Sequence, residues 1–107
     1  MSDRKRLLVI TPEARSDIEQ VLMYSEEVWG VAQSDRYEQS LYESLGRIRA
    51  FPDHGRPSNA LLGGARSVIC EHHVIYYTYD DDTVTIHRIL HERQHMTPGM
   101  LLPEPEV

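Results

Sequence analysis

The stretch HRILHERQH, residues 87–95, carries three histidines at intervals of four residues: His87, His91 and His95. On a helix this spacing would place three imidazoles on one face, where they could ligate a transition metal. The overlapping run TVTIHRIL, however, is rich in β-branched residues and alternates as a strand does. Along a strand, His87 and His91 lie roughly 13 Å apart, too far to share one ion. We therefore expect hydrogen-bonded or solvated histidines, and neither a metal nor another cofactor.

The same region contains residue types that could cleave RNA. Attack by a 2'-hydroxyl needs a general base, a general acid for the leaving oxygen, and cations for the phosphate charge. Those groups are present in Arg66, His73, Tyr77, Arg88, His91 and Arg93. Any chain of this composition nevertheless scatters such residues through its strands, and residues 65–96 carry three arginines against five acidic residues. A catalytic group and ordinary sheet residues held in ion pairs both stay open.

The overall composition limits the classes of function. The chain has 107 residues, enough for one compact domain, and no apolar run approaches the roughly 20 residues of a membrane span. Seventeen acidic residues against 11 basic ones give a net charge of −6, which disfavours strong direct binding of nucleic acid. The single cysteine, Cys70, has no disulfide partner within the chain. We expect a cytoplasmic protein that does not bind membranes.

Two helical patterns follow a short N-terminal strand. The run LLVI, residues 7–10, is strand-like, and Thr11 with Pro12 then supplies an N-cap and a first helical residue. Apolar residues recur every three or four positions up to Gly30, which suits a helix end. A second helical pattern begins almost at once and stops before Pro52. So short a link predicts an antiparallel helix hairpin.

The last third of the chain alternates as strands do. After a connector rich in glycine and proline, the runs ARSVIC, HVIYYTY and TVTIHRIL begin at residues 65, 73 and 83. Their short links predict an antiparallel three-stranded meander. The expected fold is α+β, in the order β-α-α-β-β-β, with the hairpin on one sheet face and the other face partly apolar and free. We assign residues 1–96 to one domain and 97–107 to an irregular or disordered tail.

A series of motifs resembles the ParE toxins of the bacterial ParE/RelE superfamily. They are TPEARSDIEQV and YSEEVWG in the first helix, RYEQSLYESLGRI in the second, FPDHGRP in the connector, and GGARSV, HHVIYYTY and IHRILHERQ in the strands. The most specific are the WG helix end, the FPxxGRP connector and RILHxR at residues 88–93. The resemblance covers residues 7 to about 96 and makes His91 the signature histidine. After the signature this chain reads QHM, where ParE proteins often place Met and Asp.

The resemblance implies the toxin of a type II toxin-antitoxin pair. ParE relatives poison DNA gyrase without catalysis of their own, stabilising broken DNA and arresting growth, whereas RelE relatives cleave mRNA on the ribosome. The acidic charge and the single lysine favour the ParE branch, with a RelE-type endoribonuclease as the alternative. The expected partners are gyrase and a ParD-like antitoxin in a heterotetramer or larger complex. The C-terminal segment of the antitoxin would lay a helix along the hairpin groove and an extended stretch along the sheet.

The predicted interaction surface follows from these motifs. Five residues are expected to line the exposed sheet surface and contact the target or the antitoxin: Arg66, Tyr77, Arg88, His91 and Arg93. Trp29 and Tyr37 are the candidates for the antitoxin groove on the hairpin, with plain core packing as the alternative. For Arg88 the alternative is an ion pair beneath the strand. We assign no residue a catalytic role.

Overall fold

The computed structural model describes residues 6–59 and 64–92. A first strand, β1 (Leu7–Ile10), leads into two long helices, α1 (Pro12–Trp29) and α2 (Val31–Ala50). A 3-10 turn at Pro52–His54 precedes four more strands: β2 (Arg56–Ser58), β3 (Ala65–Cys70), β4 (His73–Tyr79) and β5 (Thr83–His91). The predicted order and type of the elements are confirmed, and β2 is an addition. The predicted tail, residues 97–107, lies outside the described residues.

Thr11 explains why β1 ends and α1 begins where they do. Its backbone N–H donates to the carbonyl of Ile86 on β5 (3.1 Å), so the residue still belongs to the sheet. Its hydroxyl accepts the N–H of Ala14 (3.1 Å), which is the N-cap bond of α1, and donates to the carbonyl of His87 (3.1 Å). One side chain therefore fixes the first turn of the helix to the β1 side of β5.

The helix hairpin turns at Gly30. Its φ of 94° lies in the region that favours glycine, and its N–H donates to the carbonyl of Glu26 (3.0 Å), closing the last turn of α1. The carbonyl of Gly30 accepts the N–H of Ser34 (3.1 Å), and the Ser34 hydroxyl donates to the carbonyl of Leu22 (3.1 Å), joining the two helices. The predicted hairpin is confirmed. Neither helix has the combination of length and apolar character that crossing a membrane requires in the described part of the chain.

The sheet has the strand order β1-β5-β4-β3-β2. β3, β4 and β5 form the predicted antiparallel meander, and β2 extends it antiparallel to β3. β1 lies on the far side of β5 and runs parallel to it, pairing Leu7 with Thr83 and Ile10 with Ile86. The sheet is therefore mixed. A parallel pair needs a long crossover connection, which the helix hairpin and the other strands supply here.

The helices cover one face of the sheet. Side chains from both helices and three strands form the main core: Ala14, Ile18, Tyr37, Leu41, Leu45, Ile48, Cys70, Ile75, Tyr77, Val84, Ile86 and Ile89. On the opposite face, Tyr76 and Leu90 form a smaller cluster with Val74 packed against them. That face is less open than expected, since Tyr76 is only 9% exposed, although Ile69 is 65% exposed.

A bulge in β5 changes which residues reach the core. Neighbouring residues of β4 pair with Ile86 and Arg88, so His87 has no opposite residue on that strand. Because of the extra residue, Ile86 and Ile89, three positions apart, both reach the main core. Simple alternation would have placed them on opposite faces.

Asp17 joins α1 to the part of β5 that β1 does not reach. Its carboxylate accepts two bonds from the guanidinium of Arg88, at 2.8 and 3.0 Å, and a third from the backbone N–H of Ile89 at 2.9 Å. Only 10% of the Asp17 side chain is exposed. Since β1 ends at Ile10, this carboxylate satisfies a backbone donor that a neighbouring strand would otherwise bind.

Tyr77 fastens the connector to the sheet. Its side chain is fully buried, and its hydroxyl donates to the carbonyl of Pro52 (2.6 Å) and accepts the N–H of Gly55 (3.1 Å). A Cβ added to Gly55 would overlap the Tyr77 hydroxyl and lie 3.0 Å from the carbonyl oxygen of Ser67. Space rather than backbone conformation therefore requires glycine here, since its φ is −69°.

Asp17→Asn is expected to lower the free energy of unfolding by about 2–3 kcal/mol, because hydrogen bonds to charged groups contribute about 1.5–3 kcal/mol each. Urea denaturation followed by circular dichroism measures the change. Glu19→Gln, at a nearby exposed position, is the control and is expected to stay within about 0.5 kcal/mol. Equal unfolding midpoints for the two variants would contradict the role assigned to Asp17.

Gly55→Ala is expected to lower the free energy of unfolding by about 1–3 kcal/mol, because the overlap forces Tyr77 or the backbone to move. Gly46→Ala is the matched control: it lies within α2, and its added Cβ would have nothing within 4 Å. It is expected to stabilise by about 0.5–1 kcal/mol through helix propensity. Thermal unfolding of both variants tests this expectation. A melting temperature of Gly55→Ala equal to that of the wild type would contradict the assigned packing.

Candidate functional site

Three histidines meet at the end of the sheet where β3 turns into β4. His73 of β4 pairs with His91 of β5, and their ring centroids are 5.3 Å apart. The ring of His72 stacks near that of His91, with centroids 6.4 Å apart. We call these three residues the histidine cluster. It lies at the carboxyl end of the strand that carries the RILHxR signature.

The three regularly spaced histidines do not face one another. His87 lies beside Thr78, with its Nε2 2.8 Å from the hydroxyl oxygen, and burial lowers its pKa. His91 belongs to the histidine cluster, and His95 lies outside the described residues. Among the residues that the structure does describe, no group of three His, Cys, Asp or Glu side chains is placed to hold a metal ion.

Tyr37 ties the histidine cluster to the hairpin. Its hydroxyl lies 2.6 Å from Nδ1 of His73 and 3.5 Å from the carbonyl oxygen of Cys70, and the tyrosine and histidine rings meet edge-on. Burial, followed by the charges of Cys70 and Glu71, raises the pKa of Tyr37, so the phenol stays protonated. Its side chain is 8% exposed. Of the two roles considered for Tyr37, the burial favours core packing.

The histidine cluster favours an uncharged His73. Burial is the main cause that lowers the pKa of His73, and positive charge on His91 or His72 lowers it further. Glu92 and Asp17 act in the opposite direction and are weaker causes. At the surface, Nδ1 of His72 lies 3.3 Å from a carboxylate oxygen of Glu92. A half-buried neutral imidazole bound to a tyrosine thus lies beside two other histidines and a carboxylate.

Two arginines of the predicted surface are bound within the protein. The hydrogen bond to Asp17 raises the pKa of Arg88, whose ion pair is the alternative that we gave for it. Arg66 donates Nη1 to the carbonyl of Gly55 (2.7 Å). Both guanidinium groups therefore serve contacts that position the sheet, the helix and the connector.

Among the described residues, the candidate groups for RNA cleavage do not converge on one site. His73 and His91 come together, but Arg66 lies four residues along β3 from the position opposite His73, a distance of roughly 13 Å. Arg88 is turned to Asp17 instead of towards the two histidines. These four groups do not surround one phosphate position.

The predicted location of Tyr77 is wrong. It was expected on the exposed sheet surface, but its ring is fully buried in the main core and its hydroxyl binds the connector. The sequence HVIYYTY has bulky residues in both alternations, so the pattern could not tell which face is buried.

Trp29, unlike Tyr77, is exposed: 68% of its surface is accessible at the end of α1. Arg93 lies outside the described residues.

Sequence reasoning missed the role of Asp17. From the sequence we assigned this carboxylate no partner. Its position one residue before Ile18, on the border of the apolar helix face, is a signal that it faces the sheet. Arg88 in the last strand is a second signal, because a carboxylate that is buried in a core needs a partner of opposite charge.

Acidification is expected to destabilise the protein through His73. Its pKa is below the ordinary value of 6.5, so the unfolded chain binds the proton first. The contribution of His73 to the free energy of unfolding is fully present well above pH 6.5. It decreases as the pH falls through 6.5 towards the lower pKa that His73 has in the folded protein. Urea unfolding at about pH 7.5 and pH 5.5 should show this loss, and His73→Gln should reduce it. His54→Gln, at an exposed position, is the control; an unchanged pH dependence in His73→Gln would contradict the assignment.

The sequence matches the family described as ParE toxin of type II toxin-antitoxin system, parDE, over residues 8–96. Toxin ParE1 of Caulobacter vibrioides is 31% identical over 83 residues, which cover 78% of this chain and 85% of that protein. Toxin ParE of Escherichia coli is 28% identical over 89 residues, which cover 82% and 86%.

A solved structure agrees on the fold. The one described as the chromosomal ParDE TA system from P. aeruginosa matches with a TM-score of 0.70 at 16% identity, covering 81% of this chain and 96% of that one. The family match extends over most of the chain and contains the helix hairpin, the meander and the histidine of RILHxR. The chain belongs to the ParE toxins of type II toxin-antitoxin systems.

Proposed function

We propose that this toxin acts without catalysis, by binding DNA gyrase and stabilising cleaved DNA. Membership of the ParE family supports this target. The mechanism requires a surface complementary to one conformation of the enzyme, which the toxin then holds in place. The proposed location is the bacterial cytoplasm, where gyrase works.

The main support for a mechanism without catalysis is that two candidate arginines are already bound within the protein. Cleavage of RNA needs cations directed at the charge that develops on the phosphate. Here Arg88 makes two hydrogen bonds to Asp17, and Arg66 binds the carbonyl of Gly55. Diverting Arg88 to a substrate would leave a carboxylate that is 10% exposed without its partner, at a substantial cost. The geometry therefore favours binding over RNA cleavage.

The proposed contact surface is the histidine end of the sheet. His91 is half-buried in the histidine cluster, and Arg93 follows two residues after it in the chain. In this proposal His91 and Arg93 touch gyrase or the antitoxin, while Arg66 and Arg88 fix the connector, the sheet and α1. Tyr37 supports the surface from below through His73.

We further propose a ParD-like antitoxin as the partner that keeps the toxin inactive. A described relative of this fold is a ParDE system, which supports such a pair. The antitoxin would bind along the hairpin and the sheet, in a heterotetramer or a larger complex. Folding of an extended segment on the toxin allows tight binding that proteolysis of the free segment can regulate.

The gyrase proposal predicts accumulation of cleaved DNA. Purified toxin is incubated with gyrase, ATP and relaxed plasmid, and the reaction is stopped with a denaturant. Blocked supercoiling and linear plasmid are the expected results. His91→Ala should raise the toxin concentration for half-maximal effect by about tenfold, the equivalent of roughly 1.4 kcal/mol of lost contact.

The exposed His54, whose Nδ1 lies 2.6 Å from the carbonyl oxygen of Phe51 in its own turn, provides the matched control. His54→Ala should poison gyrase as the wild type does. Intact supercoiling at micromolar wild-type toxin, with the fold verified by circular dichroism, would refute the gyrase assignment. Cleavage of mRNA on translating ribosomes by the same preparation would establish the RelE-type alternative instead.

A further inference from the structure

The turn of the helix hairpin exposes a group of large apolar side chains. We call residues 23–31 the hairpin tip. The exposed fraction is 62% for Met23, 64% for Tyr24, 49% for Val28, 68% for Trp29 and 58% for Val31. The last three follow one another around Gly30, and Tyr24 lies one helical turn before Val28. A continuous exposed apolar surface on a small protein marks an interaction site.

The hairpin tip lies within the most acidic part of the chain. From Glu19 to Glu43 the sequence has six acidic residues and one arginine, a net charge of −5 in a chain with a total of −6. Glu26 and Glu27 are part of the tip, and both are exposed. Neither takes part in an ion pair with another residue of the described ranges 6–59 and 64–92. The tip therefore combines uncovered apolar area with uncompensated negative charge.

This combination selects the chemistry of the occupant. A second copy of the chain fits poorly, because two tips in contact would bring like charges together. Arginine fits well, since its planar guanidinium pairs with carboxylates and stacks on tryptophan and tyrosine rings. Aliphatic side chains between the arginines would cover Val28 and Val31. We propose that the hairpin tip docks the toxin on its target through an arginine-bearing amphipathic helix of that protein.

The inference rests on the proposed function in one respect, namely that the chain is a toxin with a protein target. It holds whether or not that target is gyrase. The tip is also separate from the histidine cluster, which lies where β3 turns into β4 and is covered by Tyr37 of α2. The tip would thus be a second contact with the target, in addition to the histidine end of the sheet proposed above.

Trp29, the single tryptophan of the chain, reports directly on the tip. The probe is a synthetic amphipathic peptide of leucine, alanine and arginine, roughly 20 residues long so that it forms a helix and free of aromatic residues. A peptide with glutamate in place of arginine is the comparison. We expect the arginine peptide to shift Trp29 emission to shorter wavelength, with affinity falling between about 50 and 300 mM salt. The glutamate peptide should cause no shift.

Two charge-matched variants locate the binding. Glu26→Lys/Glu27→Lys reverses two charges in the tip and should weaken binding of the arginine peptide by at least about tenfold. Asp53→Lys/Asp81→Lys makes the same change in net charge at exposed positions elsewhere and should stay within about twofold of the wild type. Failure of the arginine peptide to shift the emission, or equal affinities for the two variants, would overturn the proposal.

Growth arrest in cells supplies the functional readout, with expression verified by immunoblot. The wild type and Asp53→Lys/Asp81→Lys should arrest growth in the absence of an antitoxin, whereas Glu26→Lys/Glu27→Lys should not. Equal arrest by both variants, or no arrest by the wild type, would count against docking of a target at the tip. Neither readout presupposes which protein is the target, so an error in the gyrase assignment leaves both results valid.

Discussion

The carboxylate of Asp17 is the contact on which the relation between helices and sheet depends. Three hydrogen bonds converge on it, two from a guanidinium and one from the backbone of β5. They hold α1 against the strand beyond the point where β1 ends, and they bind a positive charge that would otherwise stand free at the sheet. This contact therefore holds α1 against β5 and also pairs the positive charge of Arg88 with a carboxylate.

Local patterns made most of the fold predictable. The three strands of the meander and the start of α1 at Thr11 follow from β-branched alternation and from capping, which involve neighbouring residues. Pairing of β1 with β5 is non-local and leaves no trace in either segment. β2 has only three residues, one of them proline, so periodicity could not reveal it.

The candidate site was predictable only in part, for a related reason. The sequence identified the histidine of the signature but not its neighbours, since His73 and His91 meet across strands through register. The bulge at His87 shifted that register and is invisible to a pattern of period two. Tyr77 and Arg88 were recognised as important residues, yet their partners lie in a distant turn and a distant helix. Types of residue are read from sequence, whereas partners are set by tertiary structure.

The position of β5 in the sheet has a consequence for folding during synthesis on the ribosome. β5 lies between β1 and β4, and Thr11 at the end of β1 binds His87, 76 positions later in the chain. The first strand made must therefore wait for the last one before its parallel pairing can form. A nascent chain at a rate of about 5–20 residues per second spends several seconds with that edge unpaired. The five-stranded sheet of the described residues therefore cannot be completed before β5 has been synthesised.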